Sequence, residues 1–251
     1  MQLRTPQGKA RGRANISMSK YDQIKEECYQ ANLLLPEFKL IDLTFGNVSV
    51  ADRDQGVFAI KPSGVDYKHL SPDSIVVIDL EKGEVVEGTL RPSSDAPTHR
   101  RLLQGFEVAR SIVHTHSRNA VAFAQAGLAI PCLGTTHADY FYGEVPVTRP
   151  MAPAEVESDY EWQTGNVILE CFKKLDPAQV PGVLVNGHGP FVWGTNGAQA
   201  VEIALALEII AEMALKTMQL DRHVAPIEGH LLKKHFFRKH GPNAYYGQHK
   251  G

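Results

Sequence analysis

Two histidines separated by one residue close an apolar stretch, Ser111-Ile112-Val113-His114-Thr115-His116. The run reads as a short strand, and on a strand residues i and i+2 point to the same face. His114 and His116 can then converge on one point. Neutral imidazoles on one face suit a transition metal, zinc first among them. The bland alternative is a pair of surface histidines at a strand end, because a chain with 11 histidines produces H-x-H by chance. A third candidate ligand stands in Val185-Asn186-Gly187-His188-Gly189-Pro190. His188 follows an apolar run and lies between two glycines, which permit a sharp turn and expose the imidazole. Asp95 offers a fourth contact. His99, four residues on, is either an alternative ligand or a solvated helix residue.

A second chemistry is written in three short segments rich in Gly, Ser and Pro. They are Gly46-Asn47-Val48-Ser49, Lys61-Pro62-Ser63-Gly64 and Arg91-Pro92-Ser93-Ser94-Asp95. Turns of this kind present backbone N–H groups, and a Ser-Ser pair at a helix start presents more. With Lys61 and Asn47 they can cradle a phosphate, although any one of them alone is ordinary turn chemistry. Thr135-Thr136-His137-Ala138-Asp139-Tyr140 is polar amid apolar sequence, so Asp139 is a general acid or base, or simply a cap. The tail holds His235, Arg238, Tyr245 and Tyr246, and such aromatic, basic ends are usually frayed or packed on a neighbour.

These residues need elements to hold them. Ile24, Cys28, Ala31 and Leu35 recur at helical spacing before Pro36. Residues 43–50 and 57–61 read as strands around an Asp-Arg-Asp-Gln-Gly turn, and 75–79 and 84–86 as a hairpin. Helices are expected over residues 94–106, 118–126, 164–175, 198–219 and 228–240, with the His114 strand and a short buried strand at 183–185 between them. This alternation predicts an α/β fold: one three-layer α/β/α domain with a mixed, largely antiparallel sheet covered by helices.

The 251 residues suffice for one large domain, with 43% apolar and 22% charged residues as in soluble globular proteins. A net charge of -2 argues against a general nucleic-acid or membrane partner. Cys28, Cys132 and Cys171 are widely spaced, with no C-x-x-C, which suits a reducing, cytoplasmic setting. Residues 1–20 carry Arg4, Lys9, Arg11, Arg13 and Lys20 and no acid. They lack the apolar core of a signal peptide and read as a disordered extension, a tag remnant or an upstream start, with the domain over 21–251.

Together the motifs resemble the L-ribulose-5-phosphate 4-epimerase family of the class II (zinc) aldolase superfamily. The matching stretches include Leu43-Thr44-Phe45-Gly46-Asn47-Val48-Ser49, Ile60-Lys61-Pro62-Ser63-Gly64, Pro92-Ser93-Ser94-Asp95, His114-Thr115-His116-Ser117, Gly134-Thr135-Thr136-His137-Ala138-Asp139-Tyr140, Gly187-His188-Gly189-Pro190 and Ala244-Tyr245-Tyr246-Gly247-Gln248. The resemblance implies one zinc per subunit on His114, His116 and His188, with Asp95 as an additional ligand. It implies a substrate phosphate on Asn47, Ser63, Gly64, Ser93 and Ser94 near Lys61, with Thr135 also against the substrate. It gives proton transfer to Asp139 and Tyr246, and brings Tyr246 and His235 from a neighbouring subunit of a homotetramer. The implied reaction opens and re-forms the C3–C4 bond of a ketose phosphate, interconverting L-ribulose 5-phosphate and D-xylulose 5-phosphate. A lyase that releases the two fragments, of the fuculose or rhamnulose phosphate type, is the nearest competitor; it usually has Glu where Asp95 stands. A non-enzymatic adducin-type head would have lost metal ligands that are present here. The residues do not choose between arabinose, ascorbate and other pentose routes.

Overall fold

The computed structural model describes residues 19–241, 244 and 245. The chain begins with α1 (Asp22–Glu37), whose buried stripe is Ile24, Cys28, Ala31 and Leu35. Pro36 falls within the last turn instead of ahead of the stop. Two antiparallel strands follow, β1 (Asn47–Asp52) and β2 (Val57–Ile60). β1 begins later than the apolar run suggests, because Leu43 and Gly46 take positive φ angles of 55° and 81° that no extended strand accommodates. A hairpin of β3 (Val76–Asp79) and β4 (Val85–Glu87) completes this half of the sheet.

The other half is built from β5 (Ser111–His114), β6 (Gly182–Val185) and β7 (Gly189–Gly194). The seven strands run in the order β4-β3-β2-β1-β5-β7-β6. Every named strand pair is antiparallel, and the one parallel pairing among the described residues is an isolated bridge from Val147 to Leu184. β7 was not expected from the sequence, yet it lies beside β5 and is buried along its whole length.

Alternate residues of β1 show how the layers form. Val50 faces Gly197 at the start of α7 (Gly197–Leu220), whereas Ser49 faces His99 of α2 (Ala96–Gly105) with 2.8 Å between Oγ and Nδ1. Neighbouring residues of a strand point to opposite faces, so α7 with α1 covers one side and α2 the other. α3 (Arg118–Ala126) packs on α7, and α6 (Tyr160–Cys171) on α2. Two helices of one turn, α4 (Thr135–Ala138) and α5 (Pro153–Val156), were not expected. α6 starts four residues before the expected 164 and ends in a 3₁₀ turn at Phe172–Lys174. The final helix, α8 (Gly229–Lys239), packs on α4.

This topology gathers the ends of three interior strands into a site. Asn47 begins β1, and its register partner His114 ends β5. His114 in turn pairs with Phe191 near the start of β7. Three adjacent strands therefore deliver Asn47, His114 and the β6–β7 turn to the same place.

Candidate active site

β5 ends at His114, so His116 lies beyond the strand. The two rings still converge. The chain must turn at Ser117 to begin α3, and in doing so it brings His116 Nε2 to 3.1 Å from His114 Nε2. His188 enters from the β6–β7 turn, where Gly187 adopts φ of 70° and the His188 N–H donates to Val185 O at 3.0 Å. One ligand atom from each of the three histidines falls within 4.8 Å of the others. His114 Nδ1 lies 3.0 Å from Pro190 O and donates to it, which leaves Nε2 with its lone pair toward the group. Phe191 stacks on His114 at 4.2 Å, Phe45 on His116 at 5.7 Å, and the Tyr160 hydroxyl stands 3.5 Å from His188 Nδ1.

Burial keeps these imidazoles neutral. It pushes His114 down to about 3 and lowers His116 and His188 as well. Asp95, at the start of α2, lines the same cleft but does not belong to the 4.8 Å group. Its Oδ2 accepts from Asn47 Nδ2 at 2.7 Å, and the same amide reaches Ser93 Oγ at 3.1 Å. Burial opposes ionisation of Asp95, but His114, His99 and the Asn47 hydrogen bond offset it and hold the carboxyl below its ordinary range. His99 is fully buried instead of solvated, and its Nε2 has no hydrogen-bond partner.

The expected phosphate residues line the same cleft, which encloses about 450 Å³ and includes Asn47, Lys61, Ser63, Gly64, Ser93, Ser94, Asp95 and the three histidines. Two backbone hydrogen bonds hold its turns side by side: Ser63 N–H donates to Arg91 O at 2.9 Å, and Ser93 N–H to Lys61 O at 3.0 Å. Lys61 is only 2% exposed. Its Nζ has a 3.4 Å contact with Pro62 O and sits 4.7 Å from the Tyr67 ring centroid, and burial lowers its pKa. A buried ammonium so thinly bonded favours an anionic ligand. Tyr160 and Glu161 also line the cleft. Tyr160-Glu161-Trp162 is a further stretch of the family resemblance, but the sequence gives neither residue a role in the site, since a Tyr-Glu pair at a helix start names no chemistry of its own. A cavity of about 780 Å³ lies alongside, sharing His116 with the cleft.

Asp139, Thr135 and His235 do not line this cleft in their own chain. Asp139 follows α4 and meets α8: His235 Nδ1 is 3.0 Å from Oδ1, and Arg238 donates to both oxygens at 2.7 and 3.1 Å. The expectation that His235 reaches Asp139's site from a neighbouring subunit therefore meets an intrachain contact. Tyr246 lies outside the described residues, as do residues 1–18.

A model of the class II aldolase and adducin N-terminal domain matches residues 26–215. The chain belongs to this family. The L-ribulose-5-phosphate 4-epimerase UlaF of Salmonella paratyphi B is 48% identical over 226 residues, covering 90% of this chain and 99% of that protein. Among solved structures, an L-fuculose 1-phosphate aldolase superposes with a TM-score of 0.73 at 24% identity, covering 88% of this chain and 97% of its own. The L-fuculose-1-phosphate aldolase of Thermus thermophilus gives 0.63 at 26% identity, covering 82% and 99%. The former shares the fold at an identity too low to carry chemistry across.

Members of the class II aldolase family typically depend on a metal, and the residues here fit one. Two imidazole nitrogens 3.1 Å apart, both held neutral, repel unless a cation or a proton lies between them. Three such nitrogens, one ring anchored on a main-chain carbonyl, form the donor set of an open tetrahedral site. No helix among the described residues is long and apolar enough to cross a membrane.

Proposed function

We propose that the chain is an L-ribulose-5-phosphate 4-epimerase that interconverts L-ribulose 5-phosphate and D-xylulose 5-phosphate. The observation that carries this over fragment-releasing aldolase chemistry is the 48% identity to the Salmonella epimerase over 99% of that protein. The cleft supports it, because one end offers three neutral imidazoles and the other a buried ammonium beside paired serine turns.

The carbon to invert, C4, is two bonds from the carbonyl, so its own proton is not acidified. The C3–C4 bond is that of an aldol, and opening it, turning the aldehyde and closing it again inverts C4. Zinc held by His114, His116 and His188, with Asp95 as a further ligand, would supply a Lewis acid to the C2 and C3 oxygens, a stabilisation of several kcal/mol. Lys61, Ser63, Gly64, Ser93 and Ser94, with Asn47, hold the phosphate, which keeps the departing fragment in place between the two half-reactions. Asp139 and Tyr246 move the proton of the C4 oxygen from opposite faces of the aldehyde, with Thr135 and His235 beside them. Asp139, Thr135 and His235 do not line their own chain's cleft, so the reading presents them with Tyr246 to the cleft of an adjacent protomer in a cytoplasmic homotetramer.

Incubation with L-ribulose 5-phosphate, followed by phosphorus NMR, tests the reading. The expected result is an equilibrium mixture of two ketose 5-phosphates. Accumulation of glycolaldehyde phosphate with free dihydroxyacetone would make the chain an aldolase instead.

A further inference from the structure

Arg238 touches two parts of the molecule at once. Its guanidinium grips Asp139 with two hydrogen bonds, Nη2 to Oδ2 at 2.7 Å and Nε to Oδ1 at 3.1 Å. Its main-chain oxygen accepts the Tyr245 N–H at 2.9 Å, one residue before Tyr246. The Arg238 side chain is about three-quarters buried, at 24% exposure, and that of Asp139 is at 13%. His235, three residues earlier on the same face of α8, adds its Nδ1 at 3.0 Å from Oδ1. Together these contacts tie α4, α8 and the start of the tail into one unit.

We propose that Arg238 is a positioning residue for proton transfer: its fork holds Asp139 as an oriented carboxylate, while its carbonyl registers the segment that leads into Tyr246. The inference rests on the reading of Asp139 as a proton-transfer group. Forked pairing fixes both the plane and the charge of a carboxylate, which a lysine ammonium, a point charge, cannot do. A carboxylate so held is ready to accept the proton of a sugar hydroxyl and to return it. Burial alone would raise the Asp139 pKa, but the hydrogen bonds from Arg238 and His235 and the charges of Arg238 and Lys239 lower it below the usual range. Of the other titratable groups nearby, Lys239 also faces the carboxylate, and the rest face the Asp139 main chain or other partners. Lys239 Nζ is 4.0 Å from Oδ2, and His240 Nε2 meets Asp139 O at 2.8 Å. On α4, His137 Nε2 meets Gly143 O at 2.7 Å, and just beyond that helix Tyr140 donates to Glu202 of α7 at 2.9 Å.

The test uses the metal-loaded oligomer carrying Arg238→Met or Arg238→Lys, with native mass spectrometry confirming assembly. Asp139→Asn, read alongside, assigns the Asp139 carboxyl signal in carbon-13 NMR and shows whether that group is needed for turnover. Removing a cation from a carboxylate raises its pKa, so the base form is lost at higher pH. In Arg238→Met the Asp139 titration should move up by about one pH unit. The acid limb of kcat/KM for L-ribulose 5-phosphate should move up with it, and Arg238→Lys should fall between. An unmoved Asp139 titration in Arg238→Met overturns the inference, and leaves Asp139 as a proton-transfer group if Asp139→Asn is inactive. A titration that moves while the acid limb stays fixed, with Asp139→Asn active, removes Asp139 from proton transfer and Arg238's role with it.

Discussion

His114 shows how one residue can be fixed from several directions. Its backbone ends β5, its Nδ1 donates to Pro190 O, and its ring face lies on Phe191. The lone pair that remains has no freedom to look away from His116 and His188. Substituting Asn for His114 should therefore leave the fold intact and lower bound zinc to well under one per chain by elemental analysis, because each imidazole supplies one of few bonds. Dialysis against a strong chelator should abolish epimerisation and zinc should restore it. Undiminished turnover in protein shown to be metal-free would end the zinc assignment. The H-x-H spacing and the glycine-flanked His188 made this group legible in the sequence, although only His114 of the pair lies on the strand. His116 converges because the chain leaves the strand, not because it continues. His99 was illegible: nothing in its i+4 spacing from Asp95 reveals that Ser49 and Phe191 enclose it. That enclosure has a measurable cost in acid. Unfolded histidine takes up a proton below about pH 6.5, whereas burial pushes folded His99 down to about 4. Between those values the unfolded state binds more protons, so stability is full above pH 6.5 and falls as the pH drops toward 4. Metal-free protein should lose about 3 kcal/mol from His99 across that window in urea titrations. A His99→Gln variant with the same pH slope would place the loss elsewhere, with His114 the next group of the same sign.

At the scale of elements, sequence periodicity located what local rules control. α3 spans the expected residues 118–126, since Gly127 can take the left-handed φ of 65° that ends it. β7 escaped notice because Gly189 and Pro190 read as turn residues, while the strand is held by pairing on both sides. α4 and α5 are single turns, too short to leave a period. The missing start of β1 has a physical remedy that only the structure reveals. β2 stops at Ile60 opposite Ser49, so Val48 has no strand neighbour on that side. Asn32 of α1 stands in for it: its Oδ1 accepts the Val48 N–H at 2.9 Å and its Nδ2 donates to Val48 O at 3.0 Å. A fully buried side-chain amide thus extends the sheet by one residue, next to Asn47 of the cleft. Asn32→Ala would leave the buried Val48 N–H unpaired and Val48 O with only the weak Cys28 thiol donor at 3.4 Å, and should cost roughly 1–3 kcal/mol in urea unfolding. A loss below about 0.5 kcal/mol would mean that water replaces the amide without penalty.

At the scale of the whole molecule, one chain divides the proposed chemistry between two places. The cleft holds the histidines and the paired serine turns, whereas Asp139 sits with His235 and Arg238 against α8. The family resemblance implies Asp139 and Tyr246 from different chains; the intrachain contacts of Asp139 with α8 put it on the same side as the tail. If one protomer's α4–α8 unit serves another's cleft, the two groups of residues complement in trans. His114→Asn chains keep the α4–α8 unit and lose the cleft. Asp139→Asn chains keep the cleft and lose the carboxylate. Each homo-oligomer should be nearly inactive. Random mixing in a ring should make about one quarter of the sites whole, since each needs an intact cleft from one chain and an intact carboxylate from its neighbour. Replacing Asp139→Asn by Tyr246→Phe in the same mixture should recover a similar fraction, because Arg238 joins that tail to Asp139 through Tyr245. A mixture confirmed by native mass spectrometry that regains no activity with either partner would confine the chemistry to single chains. Recovery with Tyr246→Phe alone would return Asp139 to the cleft of its own subunit, against the separation seen between its carboxylate cluster and the three histidines.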